Sequence, residues 1–318
     1  MRQFRRDCNE LSGAALLAAI HVGLADLSNI VCEMAAQSVV ELNPGECREQ
    51  LVAAWQRFMI DPQKSDKNCR AKLPIVDALN QQEYDDVEFY LRAVRHTQLE
   101  PAYGAPGGYE DTAAGVRSAA AFGLINCPLA SPDETLHVLI DLLFDNEWSV
   151  RENAARALAQ IGSRAATAVL KMKVRAGDVR SEVVGACLVG LVKSNREQFL
   201  DFIAGYLTGN NPDIGIEASL ALGESRSTAA AERLIEAHKQ ARVADLRDAH
   251  LMSLGLSRVP VAIDYLIELI GGHGKHAAIQ AIAALAPNRF DESTRDRVLE
   301  AVNAAKDRDL SQAFAEHF

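Results

Sequence analysis

"DNEWSVRENAARALAQIG", residues 145–162, is the stretch whose reading decides the fold. A polar turn is followed by Val150, Ala154, Ala155, Leu158 and Ile161, an i, i+4, i+8, i+11 stripe along one helix face. The same template recurs upstream as Val116, Ala120, Ala121 and Leu124, and downstream as Val183, Cys187, Leu188 and Leu191. Further copies are Ile216/Leu220/Ala221, Leu246/Leu251/Leu254 and Ala277/Ala281/Ile282/Leu285. Ala71/Ile75/Val76/Leu79 and Val31/Ala35/Ala36/Val39 fit less cleanly. Successive first positions are 40, 45, 34, 33, 33, 30 and 31 residues apart, and a period near 32 is the mark of a helical solenoid.

Amphipathic partner helices are expected between the template helices, at 134–144, 197–207, 229–240 and 261–270. The repeating unit is then a partner helix A, a tight turn, a template helix B and a short link. One unit alone leaves an apolar face in water, whereas stacked units share a continuous core. The sequence therefore predicts an all-α, right-handed α-α superhelix of about eight helix pairs, forming one domain over 1–318. Its expected ends are an N-terminal capping unit at 1–45 and a C-terminal one at 291–318.

Composition agrees. Hydrophobic residues make up 48% of the 318 residues but aromatics only 6%, and small side chains let helices approach closely. The formal charge of −10 argues against general nucleic-acid binding, which rests on a broad basic surface. Six scattered cysteines with no C-x-x-C pair read as free, buried thiols in a reducing, cytoplasmic setting. The N-terminal "MRQFRR…LSGAALLAAIHVGLA" reads as a first amphipathic helix rather than a signal peptide, because Asp7 and Glu10 interrupt it. No apolar run reaches membrane-spanning length, so no membrane role is expected.

The spacing D-x4-V-R-x2-A-A-x-A-L, present as Asp145, Val150, Arg151, Ala154, Ala155, Ala157 and Leu158, resembles the HEAT-repeat superfamily. The likeness is to the short-unit variety of phycobilisome-lyase-type bacterial proteins. Asp111, Val116, Arg117, Ala120, Ala121 and Leu124 give a second match. The resemblance implies a fold rather than a chemistry, and gives the Asp and Arg a bracing role between turns. Val184 and Glu217 stand where later units would carry the Arg, so the ladder is incomplete.

The interval of 45 exceeds the period by about twelve residues, and the excess falls in "RHTQLEPAYGAPGGYEDT", 95–112. A helix over 85–100 is expected to end at Pro101, with an inserted loop over 101–110. Its glycines allow unusual backbone angles, and Tyr103 and Tyr109 offer contact area with a polar tip. His96, Gln98 and Glu100 add hydrogen-bonding groups, and the loop reads either as a binding element or as a tolerated surface insertion. His96 and Glu100 at i, i+4 do not make a metal site by themselves, so no metal is assigned. "GGHGKH" at 271–276 lacks the phosphate-loop pattern and reads as an interhelical turn.

No nucleophile–base pair or nucleotide loop appears at recognisable spacing, and no cofactor is assigned. The first reading is a non-catalytic scaffold binding a protein or peptide, with acidic character suggested by basic residues on the B helices. Contacts are expected from solvent-facing B-helix positions Arg70, Lys72, Arg117, Arg151, Arg156, Arg247 and His250, together with the loop. The resemblance adds a bilin or tetrapyrrole lyase or chaperone as an alternative. A HEAT-like DNA glycosylase fits less well, because base stacking and phosphate steering are poorly supplied by Trp55, Trp148 and an acidic chain. A di-iron deoxyhypusine-hydroxylase type is set aside for want of any His-Glu dipeptide.

Overall fold

The computed structural model describes residues 11–102, 104, 107–272 and 274–318. These residues are helical throughout apart from turns and one short two-stranded hairpin. The chain divides into two compact units, 1–157 and 158–318.

In unit one, α1 (Gly13–Ala25) pairs with α2 (Asn29–Leu42), and α3 (Arg48–Phe58) is followed by the single turn α4 (Pro62–Ser65). Then come α5 (Lys72–Gln81), α6 (Val87–Ala93), α7 (Ala114–Asn126), α8 (Pro132–Leu142) and the start of α9 (Trp148–Ile161). The template helices α2, α5 and α7 lie side by side, and α1, α3 and α6 pack on them from one flank. Ile20, Leu24, Phe58, Ile75, Leu79 and Leu124 are buried between the two rows. The few aromatics concentrate here: Trp55 meets Phe89 edge-on with centroids 5.2 Å apart, and Phe89 meets Tyr90 at 5.3 Å.

Unit two is more regular. After α10 (Arg164–Ala176), the long α11 (Ser181–Ala204) kinks at Asn195 (φ −164°, ψ 96°), so that it serves as a template helix before the kink and a partner helix after it. There follow α12 (Pro212–Glu224), α13 (Thr228–Gln240), α14 (Ala244–Ser257), α15 (Pro260–Ile270), α16 (Lys275–Leu285), α17 (Glu292–Ala305) and α18 (Arg308–His317). Template helices start at Ser181, Pro212, Ala244, Lys275 and Arg308, 31 to 33 residues apart, and pack in that order. The expected C-terminal segment thus forms a further regular pair, α17 and α18.

Local chemistry explains the boundaries. Asn211 Oδ1 accepts from the Asp213 and Ile214 N–H groups, and Asp291 and Asp307 cap α17 and α18 in the same way. Pro212 and Pro260 occupy first-turn positions where no amide donor is needed. Between template helices the contacts are nearly backbone to backbone. A Cβ on Gly255 would overlap the Ala284 carbonyl, and one on Gly223 would press on Ser253.

The segment 85–100 corrects one expectation. Helix α6 stops at Ala93, and Leu99–Pro101 is a strand (β1) rather than a helix end. It pairs antiparallel with β2 (Tyr109–Asp111), so the expected loop over 101–110 is a β-hairpin whose strands reach beyond both of those bounds. The alternation polar-in, apolar-out over 98–101 suits a strand lying on a polar bed, and Pro101 supplies no amide to prolong a helix.

Candidate functional site

The hairpin is tied down from beneath. Leu99 faces Asp111, Glu100 faces Glu110 and Pro101 faces Tyr109, with the Ala102 N–H donating to the Gly108 carbonyl at 2.9 Å across the turn. Gly104 and Gly107 take φ of +79° and +77° there, angles that a side chain would resist. Gln98 and Glu100 point inward. Glu100 Oε1 accepts from the Asn68 N–H (2.7 Å), the Thr112 hydroxyl (3.0 Å) and the Gln98 amide (2.5 Å). The same Gln98 amide nitrogen donates to the Asp66 carbonyl at 2.9 Å.

Asp66, fully buried, organises the next layer. Its carboxylate accepts from the Ala71 and Lys72 N–H groups at 2.8 and 3.0 Å and lies 3.1 Å from the Lys72 ammonium. Lys72 has no exposed surface because it sits on the same stripe as Ile75, Val76 and Leu79. His96 is buried beside the Trp55 ring, with centroids 6.0 Å apart. Burial, then the Lys72 charge, pushes its imidazole below the ordinary range, so the ring is neutral at pH 7. His96 Nε2, Gln98 Oε1 and Glu100 Oε2 are buried with no hydrogen-bond partner, while Lys72 Nζ has the Asp66 carboxylate beside it. The result is a stiff polar base under the hairpin.

Arg117 extends that base. Its Nε and Nη2 donate to the two oxygens of Asp145, each at 2.9 Å, and Nη1 donates to Asp111 Oδ2 at 2.6 Å and to the His96 carbonyl at 3.0 Å. The guanidinium therefore joins α7, the hairpin and the turn before α9. Burial alone would raise the Asp111 carboxyl. The Gln98 and Ala113 N–H groups and Arg117 together outweigh it and hold the group below the usual carboxylate range. Arg151 donates to the Asp145 and Asn146 carbonyls at 2.9 and 3.0 Å.

Four expected solvent-facing residues are therefore corrected: Lys72, Arg117, Arg151 and His250 are buried. Lys72 and His250 follow the apolar stripe of their helices, and the two arginines are drawn in by the carboxylate and the carbonyls before α9. Arg70 is exposed and ion-paired to Glu33, and Arg156 is exposed and bonded to Glu152 at 2.6 Å. Arg247 is exposed. Tyr109 is 68% exposed, whereas Tyr103 lies outside the described residues. His96 and Glu100 do not share a helix face, and no group of three or more His, Cys, Asp or Glu suited to a metal ion occurs among the described residues.

In unit two, His250 is fully buried with neither ring nitrogen partnered, and burial pulls it down to about 4. Nearby, His238 Nδ1 lies 2.8 Å from the Tyr265 hydroxyl. A separate open cleft of about 630 Å³ lies between α10 and the kink of α11, lined by Arg164, Thr167, Lys171, Ser194, Asn195, Gln198 and Phe199 among others. Sequence reasoning missed it. The signals were Arg164 opening a helix with no acid in its first turn, and an Asn where the helix pattern slips.

A family model described as HEAT repeats matches residues 109–188, the span from β2 through the first turns of α11. Among solved structures, a chain of the CpcE–CpcF complex of phycocyanin lyase from Nostoc sp. PCC7120 is similar at 18% identity and TM-score 0.40. That match covers 82% of this chain and 96% of the other. Human deoxyhypusine hydroxylase in complex with glycerol is similar at 16% identity and TM-score 0.32, covering 80% and 88%. No curated protein matches the sequence. No helix among the described residues is long and apolar enough to cross a membrane. Residues 109–188 thus match a model of HEAT repeats, within an all-α chain of helix pairs.

Proposed function

We propose that this chain is a non-catalytic interaction protein that holds a partner protein or peptide against its hairpin. One observation carries the reading: the hairpin is built inside out. Gln98 and Glu100 are spent on anchoring, while Leu99 and Tyr109 are left 56% and 68% exposed. Strands anchored through Gln98 and Glu100 with apolar side chains facing out lose less conformational freedom on association, and aromatic anchors dominate many interfaces. Arg247, exposed on α14 of unit two, is a separate basic position suited to an acidic partner.

The test is a photo-crosslinking residue placed at Tyr109 in the full chain, with Val179 as a control site that is 93% exposed. A discrete adduct in cells at 109 and none at 179 is expected, with the adduct lost on Leu99→Asp. Identical adducts at both sites, or none at 109, would refute the proposal.

A further inference from the structure

The cleft between α10 and the kinked α11 has a composition unlike its surroundings. The chain carries a formal charge of −10, yet no residue lining this cleft is acidic, and Arg164 and Lys171 both reach it. Among the described residues neither cation has a carboxylate partner. Elsewhere in unit two, Arg180 pairs with Glu182, and Arg233 with Asp201.

Three further features shape the cleft. Arg164 is the first residue of α10, where the helix dipole disfavours a cation, and that turn carries no acid to offset it. The kink at Asn195 creates a second helix start beside the first, capped by Asn195 Oδ1 accepting the Gln198 N–H at 3.0 Å. Lys171 is held in place from below, its ammonium 5.7 Å from the Phe199 ring centroid and 5.0 Å from that of Phe202. A cation seated on aromatic faces has already lost much of its rotamer freedom, so less is lost when an anion arrives. A residue that breaks a local helix rule without local compensation points to a task outside the fold.

We infer that this cleft is the docking site for an acidic segment of a partner protein, with Arg164 and Lys171 receiving its carboxylates. The Asn195 and Gln198 side-chain amides, on the same wall, are placed to hydrogen-bond the backbone of an extended peptide. A nucleic acid fits less well. Phosphate binding needs a run of cations along the strand, and Glu197 and Glu224 border the adjoining cleft on the far side of the kink. The site is separate from the hairpin, so each is tested independently.

The experiment uses the full chain and a fluorescein-labelled octaglutamate peptide, with octaglutamine as the uncharged control. Saturable anisotropy at low salt is expected for octaglutamate alone, weakening as salt screens the contacts. Hydrogen exchange of the complex should show protection over 163–171 and 194–199. Arg164→Glu should weaken binding by at least about tenfold, since a charge-assisted contact is replaced by repulsion. The same substitution puts a favoured charge at the start of α10, so the melting temperature should not fall and lost binding is not unfolding. Lys171→Met, which keeps an apolar stem over the rings, should weaken binding independently.

Reversal of an exposed cation that does not line the cleft, Arg95→Glu, should leave affinity within about twofold. Equal losses in Arg95→Glu and Arg164→Glu would reduce the effect to diffuse charge and overturn the inference. Protection elsewhere, or no saturation at millimolar peptide, would do the same. Tighter binding of a single-stranded oligothymidylate of equal charge would assign the cleft to nucleic acid instead.

Discussion

Replacing Arg117 by Met removes the one side chain that joins α7, the hairpin and the turn before α9. The methionine fills much of the space, so the loss is electrostatic rather than a cavity. Four hydrogen bonds go, and the Asp111 and Asp145 side chains, 11% and 14% exposed, lose their cation. Removing one partner from a buried ionic group costs about 3–5 kcal/mol. Partial compensation remains here: Asp111 keeps the Gln98 and Ala113 N–H groups, and Asp145 keeps that of Glu147. We therefore expect about 3 kcal/mol, a large part of the ~5–15 kcal/mol that holds a typical domain folded. Both tryptophans, Trp55 and Trp148, fall in unit one, so tryptophan fluorescence in a urea titration of the full chain follows that unit.

The pH dependence supplies a second reading of the same experiment. The Asp111 carboxyl is depressed in the folded chain, so its contribution is present above the unfolded carboxylate value of about 4 and is lost as pH falls through the folded one. Arg117→Met should shrink that acid-side loss, and Asp111→Asn should shrink it further. A midpoint shift worth less than about 1 kcal/mol, the scale of an exposed ion pair, would show the guanidinium to be a surface ornament and refute the reasoning.

Three other outcomes are expected. His250, neutral and pulled down to about 4, stabilises unit two above the unfolded value of about 6.5; that support drains away as pH falls from there towards 4, and His250→Met should flatten the slope in hydrogen exchange of α14. In a Cys8→Ser background, the five buried thiols should resist Ellman's reagent until the chain unfolds, since burial pushes Cys32 and Cys187 up to about 12; fast labelling of native protein would contradict this. Gly255→Ala should destabilise unit two by about 2 kcal/mol or more, because the new methyl meets the rigid Ala284 backbone, and an unchanged melting curve would mean that the helices are free to part.

The repeat was legible because its signal is redundant. Val116, Val150, Val183 and Leu246 each begin a stripe, and all four are buried. The hairpin was not, because its alternation is inverted: Gln98 and Glu100 turn inward while Leu99 turns out, and a pattern search assigns the apolar residue to the core. The turn glycines and Pro101 carried the only direct hint of a strand pair. Lys72 and His250 were misplaced through residue type alone. Lys72 sits three and four residues before Ile75 and Val76, and His250 sits four after Leu246, so helical spacing already puts both inside. The cleft at Arg164 was hidden because it arises from a kink, and nothing in a periodic stripe announces where two helices meet at an angle.

The Gly255–Ala284 and Gly223–Ser253 contacts fix the tread height of a staircase. A gene that grew by whole modules of this length could add steps without disturbing those already laid. A change out of phase has no tread to occupy and must be pushed aside, as the extra dozen residues before α7 have been. Ancestry in such a chain is therefore written as a count of steps, and novelty as what overhangs them.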